Sequence, residues 1–237
     1  MQSKILFEDS NIIVAWKPPG LATQSGRVGQ QDMVSELKKH LVEKAPGTGR
    51  VPFLGVVHRL DQPVEGLLVF AKDKQAAADL TAQLAKGTLD KHYYAVLCGK
   101  PSCLEERLVD YLYKDKDNAA KVVTGRREQY PQAKKAILQY KILEEISTPK
   151  ELALADIHIE TGRFHQIRAQ MAHAGLPLLG DVKYGGEKEL EISRSLDIPF
   201  VALCAYRLEF LHPVSKKKLL YEMPPQGRGF SFFPVIM

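Results

Sequence analysis

The chain has few of the features that point to metal, redox or membrane chemistry. Only three of its 237 residues are cysteine, at Cys98, Cys103 and Cys204. Their number is odd and their spacing matches no metal-ligand pattern, which argues against both a disulfide framework and a structural zinc site. Seven histidines are present, none in an H-E-x-x-H arrangement. No apolar run approaches the ~18 residues needed to cross a bilayer. The first residues, Met1-Gln2-Ser3-Lys4-Ile5-Leu6-Phe7-Glu8-Asp9, lack the apolar core and small-residue cleavage site of a secretory signal. A cytoplasmic location is the resulting expectation, with no metal or cofactor. There is no internal repeat and no low-complexity tract.

What is present is an ordinary globular composition, 45% hydrophobic and 26% charged, with a formal net charge of +5. The basic balance is compatible with a polyanionic partner. Alternating and helical apolar patterns place strands at 4–7, 11–16, 53–57, 67–71, 91–98, 136–143, 152–160, 200–210 and 218–223. Helices are expected over 32–45, from the N-cap Asp73 through Lys86 to Gly87, and over 166–174 before Gly175. Residues 46–52 read as a Pro/Gly-rich loop, and 100–134 as charged, irregular loops. This strand-rich order predicts an α+β fold with a mainly antiparallel sheet. No composition break calls for a second domain, so 1–237 is read as a single domain.

Two segments about a hundred residues apart concentrate the chemistry. One is His58-Arg59-Leu60-Asp61-Gln62-Pro63-Val64-Glu65-Gly66-Leu67-Leu68; the other is Thr161-Gly162-Arg163-Phe164-His165-Gln166-Ile167-Arg168. A carboxylate beside arginine stays ionised and is a candidate nucleophile or base. A bare Asp beside an Arg, however, is more often a structural ion pair.

Further runs lie in order along the chain: Lys17-Pro18-Pro19-Gly20, Lys91-His92-Tyr93-Tyr94-Ala95, Leu179-Gly180-Asp181 with Tyr184-Gly185, and Leu203-Cys204-Ala205 through Leu211-His212-Pro213. Together the six segments resemble the RluA-type RNA pseudouridine synthases over residues 5 to 225. The resemblance implies the catalytic fold of that family, with a mixed central sheet around an RNA-binding cleft and no separate S4-like RNA-binding module in front of it. It implies isomerisation of uridine in structured RNA, ribosomal or transfer, in which the N1–C1′ bond breaks and a C5–C1′ bond forms. No redox cofactor or metal enters that reaction, and a monomer without an obligatory protein partner is the expectation.

By this resemblance Asp61 is the catalytic carboxylate. Whether it attacks the sugar, attacks the base or removes a sugar proton stays open. Arg168 is expected to supply its cation, since a buried carboxylate needs a charged partner. Tyr93 is expected to stack on the flipped uracil, with Tyr94 on the other strand face serving as core. Arg59 is expected to enter the space left by the flipped nucleotide. Arg163 and Gln166 are expected at phosphates or base edges, with loop capping as the competing role. His58 and His165 are read as structural groups or peripheral RNA contacts, Lys17 as a phosphate contact or a solvated loop lysine, and Gly66 as part of the substrate site.

Two departures stand out. Val64-Glu65 replaces the usual Thr-Ser, which would set a carboxylate near phosphate, and Cys204 stands where His is frequent. Two rival readings remain. One is a catalytically silent RNA-binding or RNA-folding protein on the same scaffold. The other is a metal-dependent nuclease, which would need clustered carboxylates that the motifs do not supply.

Overall fold

The structure, a computed structural model, describes residues 1–26, 29–44 and 51–236. Most of the loop expected at 46–52 therefore lies outside the described residues. In chain order the elements are β1 (Lys4–Glu8), β2 (Ile12–Lys17), α1 (Met33–Lys44), β3 (Gly55–Val56), β4 (Glu65–Ala71), α2 (Lys74–Lys86), β5 (Asp90–Cys98), β6 (Glu105–Lys114), β7 (Ala120–Val122), β8 (Lys134–Ile146), β9 (Leu152–Ile159), α3 (Gln166–His173), α4 (Glu187–Ser195), β10 (Leu203–Leu211) and β11 (Lys218–Glu222). They fall into two compact units. One comprises Met1–Lys91 and Ala205–Pro224, the other His92–Cys204 and Pro225–Met237.

In the first unit the strand order is β1-β2-β4-β10, with β11 beside β10 and β3 beside β4. Strands β2 and β4 are buried at every position, which is why they read as unbroken apolar runs without alternation. They pair antiparallel, and the register puts Lys17 opposite Gly66. Helix α2 begins and ends as its punctuation predicts. The Asp73 side chain accepts the Ala76 N–H at 2.8 Å, and Gly87 closes the helix at φ 73°. Of the strand expected at 53–57 only Gly55–Val56 forms.

In the second unit the order is β5-β9-β8-β6-β7, with antiparallel pairing throughout. On β9 the buried Ile157 alternates with the half-buried Asp156 and His158, as the pattern predicts. The expectation of irregular loops over 100–134 is corrected: β6 and β7 lie there, and Glu105–Leu112 pairs with Lys134–Lys141. Strand β6 carries Leu108 and Leu112 on one face and Val109, Tyr111 and Tyr113 on the other, so its apolar residues show no alternation to detect. Helix α4 was also not expected. It buries only Ser193 and so lacks an apolar stripe.

Candidate active site

Asp61 sits half-buried at the head of a tight turn whose backbone closes from the Val64 N–H to the Asp61 carbonyl at 3.0 Å. A second loop, Lys17 to Thr23, clamps this turn on both sides. The Gly20 N–H donates to the Gln62 carbonyl at 2.9 Å, and the Gln62 side-chain amide donates back to the Gly20 carbonyl at 2.9 Å. Before Asp61, the Thr23 hydroxyl donates to the Leu60 carbonyl at 2.9 Å and accepts the Leu60 N–H at 3.2 Å. The residues flanking the carboxylate are thereby held by five hydrogen bonds, counting Lys17 to Gln62. Ordering of this kind is what a reacting group requires.

Lys17 is placed differently from both sequence expectations. It is fully buried. Its ammonium donates to the carbonyls of Pro18 at 3.0 Å, Leu21 at 2.7 Å and Gln62 at 3.0 Å. All three of its protons are thus committed, and it is neither a phosphate contact nor a solvated loop residue. Burial pulls its pKa down to about 7, against the opposing charges of Asp61 and Glu65. Glu65 is itself buried, at 2% exposure. The expected carboxylate facing phosphate is therefore corrected: Glu65 is directed inward, where its charge acts on Lys17.

His58 is the structural histidine of the two alternatives. It is buried, and its Nε2 accepts the Val69 N–H at 3.3 Å. Burial, helped by the charge of Lys91, holds its pKa well below the usual histidine value. Gly66 likewise serves packing. At φ +135° a Cβ would lie 2.5 Å from the Ala205 backbone nitrogen, so only glycine fits against Ala205. Arg59 is exposed, with Leu60 buried between it and Asp61.

In the second unit the Thr161–Arg168 run folds as a capped loop leading into α3. Gln166 is buried and its amide is spent locally. Its Oε1 accepts from the Thr161 hydroxyl at 2.8 Å and the Arg163 N–H at 2.9 Å, while Nε2 donates to the Ile137 carbonyl at 3.0 Å. These contacts cap the loop. Arg163 donates through Nε to the Lys135 carbonyl at 2.9 Å and is exposed.

Arg168 is buried and grips Asp181 with two hydrogen bonds of 2.7 Å, from Nε and Nη2. This fork-to-carboxylate geometry fixes the guanidinium plane. Asp181 also accepts the Lys183 N–H at 2.9 Å and the Tyr184 N–H at 3.2 Å, which folds the Asp181–Tyr184 turn around it. Tyr184 returns to the motif loop: its hydroxyl lies 2.7 Å from His165 Nδ1, and its ring lies 5.1 Å from the Arg168 guanidinium. Sequence reasoning matched Asp181 and Tyr184 to a motif but gave them no task. Their signal was the Leu179-Gly180-Asp181 and Tyr184-Gly185 runs that follow the Thr161–Arg168 run in the sequence.

Tyr93 and Tyr94 are successive residues of β5 and lie on opposite faces of it. Tyr93, opposite Ile157, is 6% exposed, whereas Tyr94, opposite Asp156, is half-buried. The more buried ring is thus Tyr93, the reverse of the expectation for this pair.

A family model described as RNA pseudouridylate synthase matches residues 11–173. The chain belongs to that family. Its relatives include the ribosomal large subunit pseudouridine synthase D of Zymomonas mobilis, 35% identical over 229 residues, which covers 93% of this chain and 69% of that protein. The protein of the same name in Nitrosomonas europaea is 34% identical over 93% of this chain and 61% of its own length. The uncharacterized RNA pseudouridine synthase YhcT of Bacillus subtilis is 33% identical over 93% of this chain and 68% of its own length. The chain therefore spans 61–69% of the length of these relatives. The human RNA pseudouridylate synthase domain containing 4 shares the fold, with a TM-score of 0.73 at 24% identity over 96% of this chain and 91% of that one. As a pseudouridylate synthase family member the chain keeps the Asp61 and Thr161–Arg168 runs, and each of its departures, Val64, Glu65 and Cys204, is buried.

Proposed function

We propose that this chain isomerises uridine to pseudouridine in structured RNA, with Asp61 as the catalytic carboxylate. The observation that carries the reading is the clamped turn. Lys17, Gly20 and Thr23 order the backbone on both sides of Asp61 while its own side chain stays half-open. Within that reading Arg168 is the cation assigned to keep Asp61 ionised, and Tyr93 is the ring assigned to the extruded uracil. Arg59, which is exposed, is assigned to the space left by the flipped nucleotide, and the exposed Arg163 to the RNA backbone.

Ribosomal RNA is the favoured substrate over transfer RNA, because two of the relatives above are named for the large ribosomal subunit. The two compact units are taken as halves of one catalytic domain, since the family match runs from 11 to 173 through both. The protein is taken to work as a cytoplasmic monomer. The isomerisation exchanges the N1–C1′ bond for a C5–C1′ bond, and the proton lost from C5 is balanced by one gained at N1, so it needs no oxidant and consumes no water. Membership in a family of enzymes and the retained Asp61 weigh against the silent RNA-binding alternative.

The test is to map pseudouridine across the RNA of cells with and without the gene, then to restore the missing positions with purified protein. Loss of one or more ribosomal sites and their restoration in vitro is the expected result. An unchanged pseudouridine map would overturn the proposal, and loss confined to transfer RNA would overturn the choice of substrate.

A further inference from the structure

Phe164 stands at the position that the T-G-R-x-H-Q-I-R run leaves open, and the residue is 41% exposed. A lone exposed apolar side chain needs no explanation. What sets Phe164 apart is how its ring is held. It stacks on the His165 imidazole with centroids 3.8 Å apart and planes at 21°. His165 adopts φ +49°, a left-handed conformation uncommon outside glycine, and this turns its ring under Phe164.

The imidazole is in turn locked from below. Its Nδ1 lies 2.7 Å from the Tyr184 hydroxyl, which also accepts the Ala120 N–H at 2.7 Å. Tyr184 meets the imidazole edge-on at 85° and packs on the cluster of Leu112, Ala120, Ala136 and Ala169. A rigid column thus runs from the core of the second unit up to an aromatic ring at the surface.

The surroundings are cationic. The Lys114 ammonium stands over the Phe164 ring, 4.9 Å from its centroid. Residues 111–135, which pair into β6, β7 and the start of β8, carry seven Lys or Arg against three Asp or Glu. That excess of +4 is most of the chain's formal +5. An exposed ring beside an ammonium, on a segment rich in basic residues, is the chemistry by which proteins bind single-stranded nucleic acid: bases stack on the ring and cations follow the phosphates.

We propose that Phe164, backed by His165 and Tyr184, is a stacking platform for an unpaired base of the RNA substrate, with Lys114 and Arg163 meeting the adjoining phosphates. The proposal rests on the reading of this chain as an RNA enzyme. Lys114 covers the ring in the free protein and moves to phosphate when a base displaces it.

The experiment compares wild-type protein with Phe164→Ala, Phe164→Leu and Phe164→Trp. The probe is a fluorescent hairpin RNA with an all-uridine loop, read by anisotropy. Thermal melts check folding, and tritium release from bulk ribosomal RNA reports activity. Ala and Leu should bind roughly 5- to 150-fold more weakly, the equivalent of ~1–3 kcal/mol of base–aromatic stacking. Trp should bind as well as wild type, because every base offers a face to stack on. Leu binding like wild type would show that apolar contact suffices and would overturn the platform, as would unchanged binding by Ala. If the wild-type protein itself neither bound RNA nor released tritium, the enzymatic reading would fall first and the platform with it.

Discussion

The Lys17 ammonium donates to the carbonyl of Gln62, the residue after Asp61, at 3.0 Å. The same ammonium holds the carbonyls of Pro18 and Leu21, so one buried cation ties the Lys17–Thr23 loop to the Asp61 turn. Two effects oppose each other when it is removed. Burial of a charge is costly, which favours its replacement by an apolar group. The carbonyls of Pro18 and Leu21, however, lose this donor, each at ~1–3 kcal/mol, while that of Gln62 keeps the Gly20 N–H. The carbonyls should win. Lys17→Met is expected to lower the melting temperature and to reduce turnover more than RNA affinity. Parallel melts and single-turnover assays check this, and a variant matching wild type in both would remove Lys17 from the account.

Arg168 and Asp181 form a pair with almost no solvent contact, their side chains 5% and 0% exposed. Removing one partner strands the other charge, at a cost on the order of 3–5 kcal/mol. Arg168→Met and Asp181→Leu should each be strongly destabilised in urea titrations. The double variant should recover much of that stability, because the two buried charges leave together, yet remain inactive because Asp61 loses its assigned cation. Recovery of both stability and activity would show that Arg168 is purely structural.

Tyr93 separates packing from chemistry through its hydroxyl. Because the ring is buried, Tyr93→Ala should lose stability, about 3–5 kcal/mol as for other large aromatic truncations. Tyr93→Phe keeps the ring and should fold normally but turn over slowly. Equal turnover by Tyr93→Phe and wild type would restrict Tyr93 to a packing or stacking role.

Glu8 provides a pH test of the first unit. Burial raises its pKa, but hydrogen bonds from Lys44, His40 and Lys72 outweigh burial and bring it down to about 2. The folded pKa lies below the unfolded one, so folding stability from this carboxylate is complete above pH ~4.5 and lost as pH falls through about 2. The stability difference between wild type and Glu8→Gln should therefore shrink steadily between those limits. A difference that stays constant with pH would mean that the charge of Glu8 contributes nothing.

The fold was legible where local and tertiary demands agree. Strands β2 and β4 announce themselves as apolar runs because both faces are buried, and Asp73 and Gly87 mark the ends of α2 because helix termini need partners. Strand β6 was hidden because its two faces are both partly apolar, and α4 because it buries a serine rather than a stripe. At the candidate site, the motif runs pointed to Asp61 and Arg168, but the partners of side chains were not readable. Lys17 looks solvent-bound beside two prolines. Its burial depends on the Gln62 carbonyl, 45 residues away. No local spacing marks a contact of that range, and the tasks of Gln166 and Asp181 emerged only from the geometry of the loops they close.

The most direct test of the central claim is Asp61→Asn, which keeps the shape of the side chain and removes its charge. Wild-type and variant proteins would be incubated with bulk ribosomal RNA carrying tritium at uridine C5, with RNA affinity and melting temperature measured alongside. The account predicts no tritium release by the variant, with affinity and folding close to wild type. Tritium release at a rate near that of wild type would contradict it.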